Sequence, residues 1–141
     1  MKTDYRNFKL KIDLKPSAYH RNTVRRNISQ TLWKKIRAQV LEEHNYTCSI
    51  CGHAPPVEEL KRLHVHEIEE YAKDELLCML KGLDLICEKC HAFHHIGRTF
   101  SILNKEQISE LKLHFIKVNN CSEDDFNKYL KAFLSKIRRL V

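Results

Sequence analysis

The residues best placed to do chemistry are two cysteine pairs, Cys48-Ser49-Ile50-Cys51 and Cys87-Glu88-Lys89-Cys90. Thiolates spaced this way each clamp one side of a tetrahedral zinc ion, and two such pairs complete its shell. Cys48, Cys51, Cys87 and Cys90 therefore read as ligands of one structural Zn²⁺. The histidines nearby need another explanation, because four cysteines already fill that ion. On a helix from residue 88 to 96, His91 and His95 share a face, while Cys90 and His94 share a neighbouring one. The cysteines can then turn to the zinc while His91 and His95 turn toward a strand carrying His66. Two helix imidazoles and one strand group could hold a second, divalent cation. Such a cation binds a phosphate oxygen and stabilises charge on the transition state and on a leaving alkoxide, with a nearby base activating water.

Elements must position these groups. Leu63-His64-Val65-His66-Glu67-Ile68 alternates apolar and polar residues, which predicts a strand over about 61–68. Alternation puts His64 and His66 on one face and turns Glu67 away, unless the strand twists or bulges there. Leu83-Asp84-Leu85-Ile86 reads as its partner strand, opened by Gly82. A short helix is expected around Glu75–Leu80. The helix begun near Glu88 should stop at Gly97. Upstream, Ser29 or Thr31 caps a helix running to about His44, with Leu32, Ile36 and Val40 as its buried stripe, widened by Trp33 and Leu41. Trp33 reads as core rather than as a platform for stacking bases. Gly52 permits the turn of the first knuckle, and Pro55-Pro56 keeps the next stretch as loop. Two helices close the chain. Asn104 caps the first, with Ile108, Leu111, Phe115 and Val118 on one side. Ser122 and Asp125 form a capping box for the second, whose stripe is Phe126, Leu130, Phe133 and Ile137.

The chain has 141 residues, enough for one small domain with appended helices. Six cysteines without a secretory leader point to metal rather than disulfides, which leaves Cys78 and Cys121 as plain buried thiols. No apolar run is long enough for a membrane helix, so a soluble, cytoplasmic protein is expected. The net charge of +7 is uneven: residues 1–40 hold 11 Lys/Arg and 2 Asp/Glu, residues 41–100 hold 6 and 11, and residues 101–141 hold 8 and 5. Basic flanks around an acidic middle suggest a polyanion partner. Residues 1–28 read as an extended basic arm able to follow a phosphate backbone, with a packed N-terminal extension as the alternative. His44, His53, His94 and His114 read as ordinary.

From Trp33 onward the chain resembles the HNH endonucleases, the ββα-metal or His-Me finger nucleases, in their four-cysteine zinc variety. The resemblance is carried by Trp33, Arg37, Val40, Cys48-x-x-Cys51-Gly52, the run from Leu63 to Ile68, and Leu85-Ile86-Cys87-x-x-Cys90-His91-x-x-x-His95. It implies an α+β fold: a ββα-metal core with a zinc knuckle, one leading helix and two C-terminal helices. The implied organisation is an arm (1–28), the HNH and zinc domain (29–100) and a helical pair (101–141). The resemblance also implies that His66, His91 and His95 hold a catalytic Mg²⁺ or Mn²⁺, and that Glu67 stands where the family keeps its general base. The family's middle Asn is Gly82 here. The activity implied is hydrolysis of phosphodiester bonds in DNA, with RNA also open as a partner. Two other classes remain: an inactive HNH-like knuckle that only binds nucleic acid, and a zinc-stapled protein-interaction domain. Oligomeric state and target are not legible.

Overall fold

A computed structural model describes residues 5–13, 23–72 and 77–139. Lys2, Lys15, Pro16, Tyr19, Arg21 and Glu75, and the side chains of Ile137, Arg138 and Arg139, lie outside the described residues. The chain is mixed α+β and divides into two compact units, Lys15–His91 and Met1–Leu14 with Ala92–Val141. No helix among the described residues is long and apolar enough to cross a membrane.

The first unit holds α1 (Val24–Asn27), α2 (Gln30–Glu43), a 3₁₀ turn (Val57–Arg62), and strands β1 (Leu63–Ala72) and β2 (Leu77–Cys87). Helix α3 (Glu88–His94) begins in it. The Ser29 hydroxyl accepts from Leu32 N and starts α2 where the sequence places the cap. The buried stripe of α2 is rotated from the expected one. Trp33, Val40 and Leu41 are buried, whereas Leu32 is 46% exposed. Arg37 lies along that stripe because its guanidinium donates to the carbonyls of Leu63 (2.8 Å) and Leu60 (2.9 Å), tying α2 to the start of β1.

Strands β1 and β2 form a two-stranded antiparallel sheet, longer than the alternation predicts. Residues 77–80 are strand, not the short helix expected there. Leu77, Cys78, Met79 and Leu80 pair with Ala72, Tyr71, Glu70 and Glu69. The extended ladder gives this apolar run backbone partners at every step, which overrides its helix propensity. Gly82 lies inside β2 opposite Ile68, and a bulge falls between Ile68 and Glu69. Cys78 is half-buried, its thiol donating to Glu69 Oε2 at 2.9 Å.

The second unit contains residues 5–13, α4 (Ile96–Ile102), α5 (Lys105–Asn119) and α6 (Glu123–Arg139). The single helix expected over 88–96 is broken. Helix α3 ends at His94, and His95 takes φ −130°, ψ 52° as the N-cap of α4. The Thr99 hydroxyl donates to Ala92 O at 2.7 Å, satisfying a carbonyl that a continuing helix would have used. Gly97 is therefore inside α4 and ends nothing. Asn104 and Gln107 form a reciprocal capping box on α5, and Ser122 and Asp125 form another on α6. Cys121, between these two helices, is half-buried rather than fully enclosed.

Phe115, fully enclosed, centres the second unit's core. Its ring lies 4.9 Å from Phe126, 5.3 Å from Phe93, 5.6 Å from Phe8 and 5.8 Å from Tyr129. Residues 5–13 supply part of this core. Phe8, Leu10 and Ile12 are buried and alternate with exposed Lys9 and Lys11. The Asn119 side chain accepts from Leu10 N (2.9 Å) and donates to Leu10 O (2.8 Å). Ile12 N donates to the Tyr129 hydroxyl, and Asp13 N to Phe93 O. For residues 5–13 the packed alternative is the one observed, because their apolar positions alternate with their lysines.

Candidate metal centre

The first cysteine pair sits on a tight reversal that follows α2. Asn45 (φ 52°) and Tyr46 (φ 55°) both adopt left-handed backbone, and Tyr46 N donates back to Leu41 O. Cys48 N then donates to His53 O, Gly52 N to Cys48 O, and Cys51 N to Cys48 Sγ at 3.5 Å. Gly52, at φ 78°, supplies the left-handed step that closes this loop. The second pair repeats the pattern where β2 meets α3, with Cys90 N donating to Cys87 Sγ at 3.5 Å. Two contacts join the halves. Ser49 N donates to Leu85 O at 2.9 Å, and His44 Nε2 lies 3.4 Å from Asp84 Oδ1. The His44–Asp84 pair carries no sequence signal, since the partners are forty residues apart and His44 reads as ordinary.

The four sulfurs lie within 4.8 Å of one another, with Cys51 and Cys87 Sγ 3.6 Å apart. A tetrahedral zinc with Zn–S bonds of about 2.3 Å requires sulfurs about 3.8 Å apart, so the cage has the right size. Cys48, Cys87 and Cys90 are buried. Hydrogen bonds from the Cys87 and Cys90 thiols hold Cys48 far below the usual thiol range. Cys87 is pushed up to about 12, chiefly by its bond to Cys48. Cys90 is also driven upward, by its bonds to Cys48 and Cys87 and then by burial. Thiols this close cannot all ionise by themselves, since one thiolate suppresses the next. A soft dication reverses the balance and draws protons from all four. The cluster can hold a metal ion and is compatible with structural zinc.

The histidines are arranged differently. Across the sheet His64 faces Ile86 and His66 faces Asp84, in unbroken register, because the bulge comes only after Ile68. His64 and His66 therefore share one face and Glu67 points to the other. His91, on α3, stacks on His64 (4.9 Å between centroids, 18° between planes) and meets His66 edge-on at 5.7 Å. Burial, aided by Arg37 and Arg25 and opposed by Glu88, lowers the His64 pKa below the usual imidazole value, so the ring is neutral near pH 7. Among the described residues the four cysteines form a group with metal-ligand spacing; His64, His66 and His91 do not close to that spacing.

Glu67 Oε1 accepts from Val24 N at 2.7 Å, one of the unsatisfied amides at the start of α1. This places Glu67 at the start of α1, on the strand face opposite His66. His95 stands at the N-cap position of α4 and belongs to the other unit. A Cβ on Gly82 would meet only Ile68 Cδ1, at 3.8 Å. The structure thus brings the four cysteines together and His66 to His91, and it adds His64 to that pair.

Comparison with family models, with curated proteins and with solved structures finds no match to this chain.

Proposed function

We propose that this chain is a metal-dependent endonuclease of the ββα-metal (HNH) kind, hydrolysing phosphodiester bonds in DNA. The observation that carries this reading is the hairpin–helix joint. Strand β2, paired with β1, runs into α3 through the second cysteine pair, and His66 of β1 meets His91 of α3. Zinc at the four cysteines would staple the joint, and its role would be structural because sulfur fills every position. Two imidazoles, His66 on the strand and His91 on the helix, could take a divalent cation; imidazole by itself favours transition metals, and Mg²⁺ or Mn²⁺ as the working ion is what the resemblance implies. Bound there, the cation would supply charge neutralisation at the phosphate and at the leaving alkoxide.

The chain's own residues would do the rest. Hydrolysis needs a group to take the proton of water as its oxygen adds to phosphorus and the P–O ester bond breaks. The resemblance gives that role to Glu67. In the fold, His64 is the group that shares a face with His66 and packs on His91, whereas the Glu67 carboxylate holds the Val24 amide. We therefore place the proton acceptor at His64 and give Glu67 the task of anchoring α1. The same two features, an engaged Glu67 and Gly82 at the motif's middle position, favour the second reading: a knuckle that binds nucleic acid without cutting it.

The deciding experiment is plasmid nicking with Mg²⁺, Mn²⁺ or EDTA, using wild type, His66→Ala, His64→Ala, Glu67→Gln and His95→Ala, each checked for retained zinc. Nicking that is lost with EDTA, in His66→Ala and in His64→Ala, but kept in Glu67→Gln, supports the proposal. Loss in Glu67→Gln with an active His64→Ala returns the base to Glu67. His95→Ala tests the third ligand separately. A mobility shift with no cleavage in any metal establishes the binder instead.

A further inference from the structure

Helix α1 is a single turn, and so short a turn keeps its shape only where its surroundings fix it. Three bonds do so. Glu67 Oε1 accepts from Val24 N (2.7 Å), Thr23 Oγ1 accepts from Arg26 N (3.2 Å), and the Asn27 side chain donates to Thr23 O (2.7 Å). The turn so fixed carries Arg25, whose guanidinium carbon lies 5.7 Å from the centre of the Trp33 ring. Trp33 is buried on α2, so the platform beneath Arg25 is rigid.

One turn along α2 from Trp33, on the same face, stands Arg37, held on the Leu63 and Leu60 carbonyls. All these residues belong to the Lys15–His91 unit. The two guanidinium groups are thus brought together where α2 meets the start of β1, next to His64. Their charges reach one another: burial first, and then Arg25, lowers the Arg37 pKa below the usual guanidinium value. No carboxylate among the described residues lies within ion-pair distance of either. The nearby Glu59 and Glu88 are engaged by Arg62 instead. Arg25 is exposed, and an indole offers no lone pair to its N–H donors, which therefore face an anion from outside. Cover for Trp33 alone would need no charge, least of all one set against a second cation.

We propose that Arg25, backed by Arg37, is a phosphate clamp that takes a backbone phosphodiester of the nucleic-acid strand lying along His64 and His66. The proposal deepens the nuclease reading and rests on it for the choice of DNA over RNA. It also gives the engaged Glu67 carboxylate a purpose, since Glu67 fixes the turn that carries Arg25.

Trp33, the single tryptophan of the chain, is the reporter. Full-length protein without added divalent cation is titrated with a short DNA duplex, and with an RNA duplex of the same sequence, at several salt concentrations. Zinc content and circular dichroism are checked for every variant. A phosphate drawing on Arg25 changes the field at the indole, so wild type should show a fluorescence change that saturates with binding. Arg25→Gln should abolish that change, weaken DNA binding about three- to ten-fold and flatten the log–log salt slope by about 1. Arg25→Lys keeps the charge without the planar fork, so it should keep the slope and lose part of the affinity. Arg26→Gln, at the exposed neighbour that does not lie on Trp33, should leave the fluorescence change intact. An unchanged slope in Arg25→Gln, the same losses in Arg26→Gln, or wild-type binding that leaves Trp33 undisturbed overturns the clamp. RNA bound as tightly through Arg25 overturns the choice of DNA and leaves the clamp standing. If wild type binds through Arg25 but never nicks with Mg²⁺ or Mn²⁺, the nuclease reading falls and the clamp stands. If wild type nicks and Arg25→Gln binds unchanged, the clamp alone falls.

Discussion

Replacing Asn119 with Ala removes both hydrogen bonds that the side chain makes to Leu10, at 2.9 and 2.8 Å. Leu10 is wholly buried, so its amide and carbonyl lose partners with little access to water. Each orphaned group costs about 1–3 kcal/mol, and partial hydration of the site brings the sum to about 2–4 kcal/mol. The segment should nevertheless stay docked. Phe8, Leu10 and Ile12 are all buried, and each contributes roughly 1.5–3 kcal/mol, together more than the amide pair. Asn119→Ala should therefore lower the melting midpoint by roughly 5–15 °C without detaching residues 8–12. Asn119→Asp should also destabilise, because its carboxylate accepts from Leu10 N but sets a charged oxygen against Leu10 O. Circular dichroism melts report the global change, and amide exchange at Leu10 and Ile12 reports the local one. A melt within about 1 °C of wild type, with Leu10 exchange unchanged, would refute the packed segment.

Other outcomes follow from the cysteine cage. Metal analysis should find one tightly held zinc per chain, and Cys87→Ser should lose it together with folding free energy on the order of 10 kcal/mol. Zinc should also be released progressively as pH falls, since the four thiolates must take up protons when the ion leaves; retention that is independent of pH would exclude an all-thiolate site. Gly52→Ala meets no atom within 4 Å but must hold φ 78°. The strain is then purely that of the backbone, about 1–2 kcal/mol, and zinc affinity measured by chelator competition should fall about ten-fold.

Much of the four-cysteine cluster was legible in the sequence because each half of it is local. A Cys-x-x-Cys knuckle contains its own geometry: two residues of separation, an amide aimed at the first sulfur, and a glycine after the first pair. Helix caps are local in the same sense, and Ser29, Asn104 and the Ser122–Asp125 pair act where they were read. The alternation of Leu63 to Ile68 likewise determined which of His64, His66 and Glu67 share a face, since a strand has a period of two. Tertiary structure decided what those faces meet. Residues 77–80 became strand because β1 continues past Ile68 and offers them a ladder. The helix broke at His95, where the Thr99 hydroxyl takes the Ala92 carbonyl, so His95 opens α4 instead of continuing α3. Glu67 was claimed by the Val24 amide from forty-three residues away, and the two basic ends were joined at Asn119 and Tyr129. Partners so distant in sequence leave no periodic trace, because the free energy that pairs them exists only once the core between them has formed.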